Sequence, residues 1–275
     1  MVALLVLSNL LTWYAVVRET HHGILTIAFL DVGQGDSIYI EAPNGNQMLI
    51  DGGPDKKLLR SLGAIMPFYD RSVDLIALSH PHKDHIAGLD ELLQRYDVGA
   101  ALSSGAEYKT AEHDLWKRLL REHAIEEIVG RRGMRINMGS GVSLDVLLPN
   151  QDVTHVKTVH DSMLVMQLHY GKTAVMLTGD MEEPLEHYLV VYDGARLKSD
   201  VLKVGHHGSH TSSSQAFVGS VAPTYAVIQS GVGNSYGHPH KETLATLEQF
   251  KIKLFRTDQL GTVTMHSDGN HVSFE

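Results

Sequence analysis

The apolar run VDLIALS (73–79) passes without a break into His80-Pro81-His82-Lys83-Asp84-His85, after which residues 86–95 take up helical spacing. An uninterrupted apolar run of strand length fits a strand buried on both faces, so its sheet needs a layer on either side. Ile86, Leu89, Leu92 and Leu93 give the next segment one apolar face, as an amphipathic helix requires. Buried strand, polar loop and helix together place three histidines and an aspartate where rigid scaffolds present functional groups.

The remaining text repeats this grammar. Strands are predicted at 24–32, 37–42, 46–53 and 73–79, then helices at 86–95 and 111–124. A second series follows: strands at 142–149, 163–171 and 173–180, a helix at 182–192, a strand at 199–204, and a short helix near 213–220. A strand at 224–231, a helix at 240–250 and three closing strands complete it. Each half therefore runs strands first and helices after, which predicts two sheets packed face to face with helices outside. No repeat of fixed period and no low-complexity linker interrupts the pattern.

The first 17 residues carry no charge and end at Arg18-Glu19, with Trp13 and Tyr14 just before the arginine. That is near the lower limit for a membrane span, with an interfacial aromatic pair and a basic anchor. Residues 1–20 are expected to be a hydrophobic, membrane-spanning segment and residues 21–275 a separate domain outside the bilayer. A helix packed on the domain is the competing expectation. A signal peptide fits less well, because no basic residue precedes the apolar stretch.

The chain has no cysteine and 18 histidines, so any metal must be held by imidazole and carboxylate, a set that admits Zn or Mn. His80 and His82 can turn toward one point, and Asp84 and His85 toward a second. Such a pair of cations is the arrangement that activates water and clamps both oxygens in phosphoryl transfer; for Asp84 the competing role is a helix N-cap. Asp180 ends TAVMLTGD at another strand exit, where a carboxylate can bridge two cations. In LKVGHHGSHTSSS, His206 is the expected ligand, with His207 and Ser209 as supporting or substrate-contacting groups; most of the serines read as caps. His160 can complete a three-histidine site, and His238 in NSYGHPH is a candidate phosphate contact or proton donor to a leaving group. Asp51 in IDGG can orient a ligand imidazole. The histidines at 21, 22, 113, 123, 169, 187, 266 and 271 read as surface or packing residues.

Together, HxHxDH, a later histidine, a bridging aspartate and a His after the next strand resemble the metallo-β-lactamase fold superfamily. FLDVGQGDSIYIEAPNG, MLIDGG, SHPHKDHIAGL, VMLTGD, LKVGHHGSHTSS, YGHPH and FRTDQLGTV, in that order, resemble the C-terminal hydrolase-like domain of ComEC-type DNA-uptake channel proteins over residues 23–275. This resemblance implies a four-layer αββα sandwich with two divalent ions, Zn or Mn. His80, His82 and His160 would hold one and Asp84, His85 and His206 the other, with Asp180 between them. It further implies hydrolysis of DNA by a metal-activated water; Asp84 and His238 are the expected catalytic groups. The domain would be extracytoplasmic, at the cell membrane beside the channel region of a competence protein. His82 stands where many such domains carry Asp, and the text before SMLVMQL differs from the family's Asn-rich form. A hydrolase of another ester or a lactam, and a non-catalytic DNA-binding module, are the alternatives. The net charge of −9 gives DNA no overall attraction, so a backbone would depend on local basic stretches such as RRGMR (131–135) and KIKLFR (251–256). Oligomeric state and metal identity are not encoded in these motifs.

Overall fold

Period-two burial along the strands generates the layers. In β1 (Leu25–Phe29), Leu25, Ile27 and Phe29 enter one core while Ala28 enters another. β2 (Ile38–Glu41), β3 (Gln47–Ile50), β4 (Ser72–Leu78), β5 (Asp97–Ser103) and β6 (Glu126–Val129) extend the same sheet. A second sheet holds β7 (Arg135–Gly139), β8 (Val142–Leu148), β9 (Val165–Tyr170), β10 (Thr173–Leu177), β11 (Val201–Lys203), β12 (Tyr225–Ile228) and β13 (Lys253–Arg256). The chain then returns through β14 (Val263–Ser267) and β15 (Val272–Phe274), so the orders are β15-β14-β1-β2-β3-β4-β5-β6 and β13-β12-β11-β10-β9-β8-β7. This computed structural model describes residues 2–18, 23–156 and 158–275.

Three apolar cores separate four layers. Ile27, Phe29, Met48, Leu144, Met166 and Val175 fill the space between the sheets. Beyond α1 (Val2–Arg18), three helices cover the first sheet: α2 (Lys57–Ile65), α3 (Lys83–Leu93) and α4 (Ala111–Glu122). Leu58, Leu62, Ile86, Leu89 and Trp116 from them pack on Leu49, Ile76 and Leu78. α5 (Glu183–Asp193), α6 (Gln215–Val221) and α7 (Lys241–Gln249) cover the second sheet through Leu189, Phe217, Val221 and Leu247. The expected αββα sandwich is the observed one. β4 is sandwiched as its sequence requires, with Ala77 in the central core and Ile76 and Leu78 in the outer one.

The N-terminal segment is helical over 17 residues, and Leu4, Leu5, Val6, Leu7, Leu10 and Trp13 are exposed. Those exposures do not fit a helix buried on the domain. Among the described residues, no helix is long and apolar enough to cross a membrane; 17 residues rise only about 25 Å against a hydrocarbon core of about 30 Å. Glu19, Thr20, His21 and His22, where the boundary between segment and domain was expected, lie outside the described residues.

Close backbone packing fixes the loops that carry the site. A Cβ at Gly88, within α3, would collide with the carbonyl oxygen of Gly52, and the Gly88 N–H donates to the Gly53 carbonyl at 3.0 Å. Gly52 N–H in turn donates to the His85 carbonyl at 2.7 Å. Gly→Ala in a helix interior ordinarily stabilises by about 1 kcal/mol. Gly88→Ala is expected instead to destabilise by about 2 kcal/mol, because the added atom meets backbone that cannot turn away. A lowered midpoint of urea unfolding checks it.

Candidate metal centre

Four strand exits converge at one edge of the sandwich. Asp51 follows β3 and His80 follows its parallel neighbour β4; Asp180 follows β10, and His207 follows its parallel neighbour β11. Asp180 is 2% exposed and lies between two groups of side chains. His80, His82 and Asp180 bring ligand atoms within 4.8 Å of one another, and so do Asp84, His85, Asp180 and His207. His80 Nε2 is 3.0 Å from His82 Nδ1 and 3.8 Å from Asp180 Oδ2. His85 Nε2 and His207 Nε2 lie 3.3 and 3.4 Å from Asp180 Oδ2, and His207 Nε2 is 3.2 Å from Asp84 Oδ2.

The far nitrogen of each buried imidazole is already engaged. His85 Nδ1 is 2.8 Å from Asp51 Oδ2, and Asp51 Oδ1 accepts the Ser79 N–H at 2.7 Å. His207 Nδ1 is 3.0 Å from the Gln229 carbonyl. With the proton on Nδ1 in each ring, Nε2 is left as a ligand atom, the orienting pattern found around metal-ligating histidines. His85 Nε2 and Asp180 Oδ1 are buried yet make no hydrogen bond. Buried ligand atoms left without hydrogen bonds, one imidazole nitrogen and one carboxylate oxygen, fit a divalent cation.

The buried charges of the site act strongly on one another. Burial opposes charge on His85 and His207, but Asp180 acting on both, with Asp51 and Asp36 respectively, holds the two imidazoles well above their ordinary value. Burial likewise works against an ionised Asp180, and His207 and His85 overcome it to hold the carboxyl well below its usual range. His80 is driven well down by burial and by His85, and His82 down to about 4 by burial and by His160. The ionised carboxylates that draw a proton onto the His85 and His207 rings would draw a divalent cation to the same Nε2 atoms, and its binding would displace that proton.

The structure redistributes some expected roles. His207, not His206, joins Asp84, His85 and Asp180. Both residues have left-handed backbone, φ 47° at His206 and 54° at His207, and the second side chain of the pair turns inward to 2% exposure. His206 groups instead with His160 and Glu182, its Nδ1 3.3 Å from Glu182 Oε1. His160, expected with His80 and His82, lies beside them with its ring centre 5.1 Å from that of His82. Asp84 makes no N-cap hydrogen bond; His82 occupies the cap position of α3. Ser209 turns toward Thr211, with Oγ 3.0 Å from Thr211 Oγ1, and takes no place in the lining of the cleft.

A cleft of about 340 Å³ opens on this centre, and Lys83, His206, His238, Gln34 and Tyr236 line it. Gln34 Nε2 is 3.4 Å from His238 Nδ1, while Gln34 Oε1 accepts the Gly231 N–H at 3.1 Å. That fixes His238 Nδ1 as an acceptor and leaves the proton on Nε2. Burial, His207 and His206 push His238 down to about 4, which suits the phosphate contact, one of its two expected roles, better than proton donation. Arginines of the basic stretches are paired with carboxylates: Arg132 with Asp193 and Arg135 with Asp145, both through two hydrogen bonds. Arg256 does the same with Asp258.

Sequence reasoning missed Glu182, Gln34, Tyr236 and Lys203. Lys203 is fully buried and ion-pairs with Asp36, which His207 also faces. A lysine inside an apolar strand text was the available signal. Glu186 was missed as well. Its buried carboxylate accepts the Ser213 and Ser214 N–H groups at 2.5 and 2.8 Å, which anchors the loop after His207. Burial pushes this carboxyl up to about 7 from 4.5. Its contribution is complete below pH 4.5 and is lost as pH rises to 7, because the unfolded chain releases the proton first. Glu186→Gln is therefore expected to flatten the stability change between pH 4.5 and 7 by about 3 kcal/mol, read from urea unfolding of both proteins.

The profile of the Metallo-beta-lactamase superfamily matches residues 30–231. ComE operon protein 3 of Bacillus subtilis is 31% identical over 256 residues, covering 86% of this chain and 32% of the relative. Competence protein ComA of Neisseria gonorrhoeae is 30% identical, covering 85% and 31%. The chain thus spans about a third of the length of the curated relatives it matches. Among solved structures, the metallo hydrolase Igni18 of Ignicoccus hospitalis superposes with a TM-score of 0.57 at 16% identity, covering 87% of this chain and 98% of that one.

Proposed function

The chain belongs to the metallo-beta-lactamase superfamily, and from that premise we propose that it is a metal-dependent phosphodiesterase that cleaves DNA as part of a competence protein. The observation that carries the reading is the sharing of Asp180 by two ligand groups, His80/His82 and Asp84/His85/His207. Two divalent ions, when bound, would supply Lewis-acid stabilisation of phosphoryl oxygens and an activated water.

The chain's own residues do the positioning. Asp51 and the Gln229 carbonyl hold the His85 and His207 rings in one tautomer and one orientation. Asp84 reaches the cleft from the first turn of α3, beside Lys83, whose exposed ammonium lies 3.4 Å from Glu112 Oε1 and also suits a phosphate neighbour. Neutral His238 offers an Nε2–H donor for a phosphoryl oxygen, a hydrogen-bonding role in place of acid catalysis. The exposed leucines and Trp13 of α1 favour an apolar surrounding, such as a bilayer or the channel region of a longer chain. The catalytic domain would then sit at the membrane on its outer side.

Labelled single- and double-stranded DNA, incubated with the protein and Mn or Zn, tests the reading. The native chain is expected to cut DNA, and Asp84→Ala and His82→Ala to fail. Inert protein with two bound ions would favour another ester or a lactam as substrate; inert protein without metal would favour a non-catalytic DNA-binding module.

A further inference from the structure

The rim of the cleft carries one feature that hydrolysis of a phosphodiester does not require. Tyr236 is 65% exposed, although the surfaces around it are imidazole, carboxylate and ammonium. Its ring lies nearly parallel to that of His238, 20° between planes and 5.7 Å between centres. Both rings line the same cleft as Asp84, Asp180 and His207.

The backbone beneath this pair is pinned on both sides. Asn234 Oδ1 accepts the His238 N–H at 3.0 Å, and Asn234 Nδ2 donates to the His238 and Gly231 carbonyls at 2.7 and 3.0 Å. The His210 N–H donates to His240 Nδ1 at 3.0 Å, so the proton of that ring is on Nε2, which donates to the Tyr236 carbonyl at 3.1 Å. A fixed main chain with an exposed ring on it is a preorganised flat surface. Stacking on it immobilises little that is not already held.

We propose that Tyr236, backed by His238, is the stacking platform for the nucleobase adjacent to the phosphodiester held at the metal centre. The inference rests on the nucleic-acid reading above and adds a specificity-determining residue to it. Every base has a π-face, so such a platform accepts any sequence while rejecting a phosphodiester that lacks a base. It would also supply affinity that a chain of net charge −9 cannot draw from its overall field.

Single-stranded oligonucleotides with 2-aminopurine walked through each position, and with an abasic residue walked likewise, test this on the full chain with Mn. The native protein and Tyr236→Phe are expected to change the fluorescence at one position beside the cleaved bond. Tyr236→Ala is expected to lose that signal and to raise KM about tenfold, as loss of one stacked base does. An abasic residue at that position should weaken the native protein equally and leave Tyr236→Ala indifferent. Unchanged fluorescence and KM in Tyr236→Ala overturns the platform while leaving the nuclease reading intact. Loss in Tyr236→Phe as well overturns it too, since the hydroxyl would then be the contact. A native chain that neither cuts nor binds any oligonucleotide overturns both.

Discussion

His207→Ala is expected to retain one divalent cation per chain where the native protein binds two, and His206→Ala to retain both. His207 is fully enclosed, its Nε2 faces Asp84 and Asp180, and its Nδ1 is engaged by the Gln229 carbonyl. Removing it leaves Asp84, His85 and a shared Asp180 to hold a cation. His206 turns Nδ1 toward Glu182 and Thr211; its Nε2 is 3.9 Å from Asp180 Oδ2, but it belongs to neither ligand group around Asp180, and its loss leaves both intact. Loss of a residue that merely orients a ligand costs metal affinity or activity about 10–100-fold. Loss of the ligand His207 is expected to lower phosphodiester hydrolysis by more than that. Metal content by mass spectrometry after desalting, beside the rate on one oligonucleotide, separates the two histidines.

Lys203→Met is expected to destabilise the fold by about 3–5 kcal/mol, the usual consequence of leaving a buried charge without its partner. Lys203 is fully buried, donates to the Gly179 carbonyl at 3.0 Å and pairs with Asp36, itself 1% exposed. Methionine fills a similar volume, so the loss reads charge and not a cavity. Burial opposes the ionised Asp36 carboxylate, and Lys203 and His207 hold its pKa below the ordinary value. Combining Lys203→Met with Asp36→Asn should recover part of the loss, since the orphaned charge is gone. Chemical denaturation of the four proteins in a cycle measures the coupling; a single variant as stable as the native chain would refute it.

The two-sheet architecture was legible because its cores are written as strand alternation and as the continuous run at 73–79. α2, β5, β6 and β7 were not; in β5 the text is DVGAALS, where glycine and alanine give little strand signal. Gly99 is there for backbone clearance, since a Cβ would meet the Asp74 carbonyl at 2.6 Å. HxHxDH and Asp180 stood out because coordinating groups followed apolar strands. Which histidine of the adjacent pair faces inward was not legible, for it depends on two consecutive left-handed residues that no spacing rule announces. Asp36 and Lys203 come from opposite sheets, and Gln34 meets His238 only across the folded edge. Long-range pairs of this kind appear only once the sandwich closes. The arginines of RRGMR looked available for a phosphate backbone because their carboxylate partners lie elsewhere in the chain.

Anomalous diffraction from crystals grown with Mn or Zn tests the shared-carboxylate centre most directly. Two peaks are expected, both in contact with Asp180, one among His80 and His82 and the other among Asp84, His85 and His207. A single peak, or a pair with one ion held by His160, Glu182 and His206 and none at His207, would contradict it.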